Sequence, residues 1–140
     1  MITDYAGDVA NLWRDEPTAV ELRRRLEAFP GIGQKKAAMA VEILARDLHK
    51  PIQALTGSDV AYDVQLRRVF LRSGLVDTDD PERMISIARA LHPERPGALD
   101  FPAWDIGRRW CHPQQPACPT CPLNTACARL IERRASARGI

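Results

Sequence analysis

Three groups of residues in this chain have types and spacings that could do chemistry: a cysteine cluster, a pair of lysines behind two glycines, and an aspartate between them. All four cysteines, Cys111, Cys118, Cys121 and Cys127, fall in the stretch "CHPQQPACPTCPLNTAC" with the spacing C-x6-C-x2-C-x5-C. Four thiolates in so short a loop can converge on one site, and Pro113, Pro116, Pro119 and Pro122 stiffen the turns between them. Zinc modules more often use two separated C-x2-C knuckles, whereas this loop has one such pair flanked by single cysteines at unequal distances. Ligand type and spacing therefore favour an iron-sulfur cluster over a four-cysteine zinc site. Disulfides rank a distant third.

The stretch "FPGIGQKKAAMAVEIL", Phe29 to Leu44, sets Pro-Gly-Ile-Gly before a run with helical character. Glycine tolerates positive φ and close approach of another backbone, so a G-x-G hinge opening a helix predicts a tight turn whose free amides face an anion, with phosphate the obvious candidate. Lys35 and Lys36 follow in the first turn. The positive end of a helix dipole disfavours an ammonium and favours the neutral amine that acts as a nucleophile. Asp63, in "YDVQLRRV", opens the next helical pattern and supplies a carboxylate able to stabilise developing positive charge.

The elements that must position these groups read as helices. Thr18 and Glu21 have capping-box spacing, and Val20, Leu22, Leu26 and Phe29 share a face, which predicts a helix from about Thr18 to Ala28. A second runs from Gln34 to about Leu48 on Ala37, Ala38, Val41, Ile43 and Leu44, and ends before Pro51. The result is helix, short hairpin, helix. A linker around "KPIQALTGS" leads to a helix from near Asp63 to Ser73, closed by Gly74, and Asp80-Pro81 opens another to about Leu91. "HPERPG" breaks the pattern; Leu99 to Trp110 and Asn124 to Arg134 complete it. No alternating strand pattern occurs, so the fold class is all-α, in two parts: residues 1–57 around the hairpin and residues 58–140 carrying Asp63 and the cysteine loop.

Composition sets outer bounds. The chain is 45% hydrophobic, enough for a packed core, and its formal charge of +2 is too small to argue for nucleic acid by itself. "MITDYAGDVA" lacks a basic and apolar leader and no apolar run approaches membrane-spanning length, so a cytoplasmic, non-membrane protein is expected, on the nucleoid if the source is prokaryotic.

Taken in order, "FPGIGQKKA", "YDVQLRRV" and the cysteine spacing resemble the endonuclease III family of DNA glycosylases, within the helix-hairpin-helix superfamily that carries a glycine/proline-rich loop and an aspartate. The resemblance runs from about Pro17 to Cys127. It implies a helix-hairpin-helix part followed by a helical iron-sulfur domain, and a base-excision activity with apurinic/apyrimidinic lyase chemistry. It further implies that Lys35 and Asp63 are catalytic and that Cys111, Cys118, Cys121 and Cys127 hold a 4Fe-4S cluster. Gly31, Ile32, Gly33, Gln34 and Lys36 would contact DNA. The expected partner is double-stranded DNA with a damaged base or abasic site. Adenine-specific relatives place a non-lysine residue where Lys35 stands, which favours a lyase.

Blander roles compete with these. Without the downstream motif, Lys35 and Lys36 would read as solvated phosphate contacts; Asp63 also reads as an N-cap, and Asp59 as a rival carboxylate. Arg67, Arg68 and Arg72 read as a partly solvated face, and Trp13, Trp104 and Trp110 as core. His49, His92 and His112 lack metal spacing. Three departures from the family stand out. Only Met1 to Pro30 precede Gly31, so a missing N-terminal segment or a partner chain is expected to complete the fold. The loop "HPQQPA" has no Lys or Arg where relatives tend to place one, and Gln65 stands where relatives commonly have histidine. The alternative is a non-catalytic or truncated iron-sulfur DNA-binding module.

Overall fold

The computed structural model describes residues 2–131. The expected all-α class holds: no strand occurs among the described residues. A short α1 (Ile2–Tyr5) and a 3-10 turn (Val9–Leu12) lead to α2 (Ala19–Glu27) and α3 (Gln34–Arg46). There follow α4 (Val64–Ser73), α5 (Pro81–Leu91), a 3-10 turn (Pro96–Leu99) running into α6 (Asp100–Arg109), and a last 3-10 turn at Cys118–Thr120.

Local chemistry accounts for most helix ends. The Thr18 hydroxyl accepts from the Glu21 amide at 3.2 Å, Asp63 accepts from Gln65 and Leu66, and Asp80 accepts from Glu82 ahead of Pro81. Gly74 stops α4 in the left-handed region at φ 85. Helix α3 stops at Arg46 rather than Leu48, because His49 enters positive φ and the Lys50 amide turns back to the Leu44 carbonyl at 2.8 Å.

Burial forms two hydrophobic clusters. Leu22, Leu26, Ala37, Val41 and Leu44 centre the first, between α2 and α3; Leu66, Val69, Phe70, Met84 and Ala103 centre the second, between α4, α5 and α6. Buried charge spans the gap between them. Asp59, 1% exposed, accepts from Arg23 of α2 and from the Arg89 guanidinium of α5 at 2.9 Å. Glu42 of α3 pairs with Arg95 at 2.9 Å, and a Cβ added to Gly97 would stand 2.5 Å from its carboxylate.

Several sequence expectations need correction. Val20 is 52% exposed; Ala19 takes its place on the buried face of α2, in register with Leu22 and Leu26. Arg68 and Arg72 are each 8% exposed, because the cysteine loop packs over them. Trp104 is exposed. Residues 124–131 are not helical: the Ala128 and Leu130 amides donate to the Ser73 and Arg72 carbonyls rather than to a helix of their own. The rest of that expected helix, 132–134, lies outside the described residues.

Candidate active site and cysteine loop

The hairpin is built from few bonds. The Ile32 amide donates to the Phe29 carbonyl at 3.1 Å, Gly31 turns the chain at φ 81, and the Lys36 ammonium donates to the Gly31 carbonyl at 2.8 Å. Gly33 is the N-cap of α3 and provides no side-chain oxygen, so the first-turn amides of α3 have no capping partner. A Cβ at Gly31 or Gly33 would meet nothing within 4 Å. Gly31 needs glycine for its φ, whereas Gly33, at φ −103, faces open space in front of those amides. Gln34 is turned inward, its amide nitrogen donating to the Val60 carbonyl at 2.9 Å.

Beside the hairpin, α3 and α6 wall a cavity lined by Met39, Ile43 and Arg46 on one side and Asp63, Asp100 and Trp104 on the other. Lys35 lies one helical turn before Met39 on the same face of α3, next to the residues that line this cavity but not among them. Its side chain is exposed and has no hydrogen bond or ion pair among the described residues. Both capping bonds to Asp63 end on Oδ1, at 2.8 and 2.9 Å, and neither uses Oδ2. The rival carboxylate, Asp59, is enclosed by its arginines and does not line the cavity.

Asp100 and Arg46 escaped the sequence reading. Burial pushes the Asp100 carboxyl up to about 6, against the bond from the Ala61 amide at 2.9 Å; the charges of Asp63 and Glu42 raise it further and Arg46 lowers it. Phe101 and Trp104 stack at 5.9 Å, with the guanidinium of Arg46 4.7 Å from the Phe101 ring and that of Arg108 4.8 Å from the Trp104 ring. A lone carboxylate in "GALDFPAW" has no spacing to another group that would single it out. Only the folding of Ala61 against α6 gives it a role.

All four cysteines are half-buried, unpaired thiols, and all four line one cavity with Val69, Arg72, Leu123 and Arg129. Arg72 donates to the His112 carbonyl at 2.6 Å and the Pro113 carbonyl at 2.7 Å, with one guanidinium nitrogen 3.6 Å from Cys111 Sγ. Arg68 donates to the Cys111 carbonyl at 2.6 Å, the Gly107 carbonyl at 2.9 Å and the Gln65 side chain. The Arg129 amide donates to Cys127 Sγ at 3.4 Å. Among the described residues no three His, Cys, Asp or Glu side chains are gathered closely enough to hold a single metal ion. The donor set nonetheless fits an iron-sulfur cluster: four soft thiols around one cavity, with the Arg129 amide and the Arg72 guanidinium directed at sulfur where thiolate charge would form.

Fold and site together define an all-helical protein in which a tight Pro-Gly-Ile-Gly turn joins α2 to α3 and a four-cysteine loop follows α6. No protein-family profile matches the chain. Its sequence is 31% identical over 128 residues to an Endonuclease III of Thermotoga maritima, an alignment covering 91% of this chain and 51% of that protein. The chain is thus endonuclease III-like, as the ordered motifs implied, and it spans about half the length of the curated relative it matches. No helix among the described residues is long and apolar enough to cross a membrane.

Proposed function

We propose that the chain carries the lyase centre of a base-excision-repair DNA glycosylase, with Lys35 as nucleophile and Asp63 as its partner carboxylate. The observation that supports this reading is that Lys35 is unpartnered among the described residues, stands at the uncapped start of α3, and precedes by one helical turn the Met39 that lines the Asp63 cavity. The Lys35 amine would add to the C1′ aldehyde of an opened abasic sugar, and the adduct would lose water to form an imine. The imine would permit β-elimination, in which C2′ gives a proton to solvent and the C3′–O bond breaks to release the 3′-phosphate. Asp63, with Oδ2 unused by the cap, would stabilise positive charge developing at the sugar. The open amides at Gly33 and Gln34 would take a backbone phosphate, and the target nucleotide must leave the stack to reach the cavity. Cys111, Cys118, Cys121 and Cys127 would hold a 4Fe-4S cluster, which supplies one-electron chemistry and a brace for the loop when bound.

Borohydride reduction on an abasic-site duplex tests the assignment. Wild type and Lys36→Ala should yield a covalent adduct, whereas Lys35→Ala should yield none while keeping most of its DNA affinity. Equal adduct in wild type and Lys35→Ala would remove the nucleophile and leave a DNA-binding module as the better reading.

A further inference from the structure

The segment carrying Asp63 is held from both sides. From α3, the Gln34 side chain donates to the Val60 carbonyl at 2.9 Å; from α6, the Asp100 carboxylate accepts from the Ala61 amide at 2.9 Å. Val60 and Ala61 are 0% and 3% exposed, so water offers these two backbone groups no ready substitute. The chain from Val60 to Asp63 is neither helix nor strand, and these side chains do the holding that a ladder would otherwise do. Gln34 is also the residue before Lys35, within the same rigid first turn of α3. One turn of helix therefore carries both the amine and the strut that fixes the distance to the Asp63 segment.

We infer that Gln34 is a positioning residue, setting Asp63 relative to Lys35, with Asp100 as the opposing arm of the clamp. This is a different role from the DNA contact that the hairpin resemblance assigns to Gln34, and it rests on the lyase reading above. The bond it uses is internal, and the amide is committed to Val60 before any DNA arrives. A shift of the order of 1 Å between two reacting groups can cost about a hundredfold in rate, so loss of the strut belongs in the chemical step rather than in binding.

The test measures single-turnover cleavage of a duplex with a pre-formed abasic site at saturating protein, alongside the dissociation constant for a duplex carrying an uncleavable tetrahydrofuran analogue. Gln34→Met, similar in length but without the donor, should lose about tenfold or more in the saturated rate and change affinity less than about twofold. Gln34→Asn, one methylene short of the Val60 carbonyl, should show the same split in milder form. Gln34→Lys, which restores a donor long enough to reach that carbonyl, should recover the rate to within about threefold of wild type. Variants that bind more weakly but cleave at the wild-type saturated rate would overturn the inference alone and make Gln34 a phosphate contact. A wild-type chain that neither cleaves nor traps the abasic duplex would overturn the inference together with the lyase reading.

Discussion

Asp100 ties cavity chemistry to stability through its proton. Its carboxyl titrates at about 6 in the folded chain against a usual 3.8, so the folded state binds this proton more tightly than the unfolded state does. The associated stability is fully present below 3.8 and is lost as pH rises through about 6. Asp100→Asn keeps an acceptor for the Ala61 amide and removes the burial of charge. It should therefore be more stable than wild type at pH 7–8, with the advantage shrinking between about pH 6 and 4, as urea denaturation across that range will show. Asp63 presents the complementary case. Asp63→Asn retains the Oδ1 cap and should leave stability nearly unchanged while slowing strand cleavage; Asp63→Ala should cost about 1 kcal/mol of stability as well.

At the scale of the element, the start of α3 separates folding from binding. Gly31 sits at φ 81, so Gly31→Ala should destabilise the chain by about 1 kcal/mol, seen as a lower thermal midpoint. Gly33 has an extended backbone and open space before it, so a serine there fits and can cap the α3 amides. Gly33→Ser should gain a few tenths of a kcal/mol in stability and weaken DNA binding, because the new hydroxyl competes with phosphate for the same N–H groups. Opposite changes in the two measurements would mark those amides as the phosphate site. These helix ends were legible because each is written in the residues at that end: Thr18 with Glu21 for α2, Asp63 at the start and Gly74 at the stop of α4, Asp80 with Pro81 for α5. The burial of Arg68 and Arg72 was not legible. Their periodicity on α4 gives a charged stripe, and only the carbonyls of Gly107, Cys111, His112 and Pro113, some forty positions away, turn that stripe inward. Exposed Trp104 and the non-helical tail before residue 132 were missed for the same reason, since both depend on what packs beside them.

Across the whole molecule, two cores of modest size are joined by buried charge. Asp59→Ala would leave Arg23 and Arg89 without their shared carboxylate, and with Arg89 half-exposed and free to turn to water the change is expected to cost about 2 kcal/mol. Because Asp59 bridges α2 to α5, the same change should uncouple the cores. Hydrogen exchange at Val41 and Met84, which report one core each, should coincide in wild type and diverge in the variant.

The docking of the tail on α4 also sets an order of events during synthesis. The Arg72 carbonyl accepts from the Cys127 thiol at 3.6 Å and from the Leu130 amide at 2.9 Å, with 55 residues separating Arg72 from Cys127. A ribosome must therefore release all of α5, α6 and the cysteine loop before the last turn of α4 finds its partners. Closing a span of that length costs chain entropy that local helix formation does not repay. Until then Arg72 has no loop carbonyls to hold, and the four thiols have no common wall. The nascent chain can thus complete its hairpin early, while the cysteine cavity exists only after the segment through Leu130 has emerged.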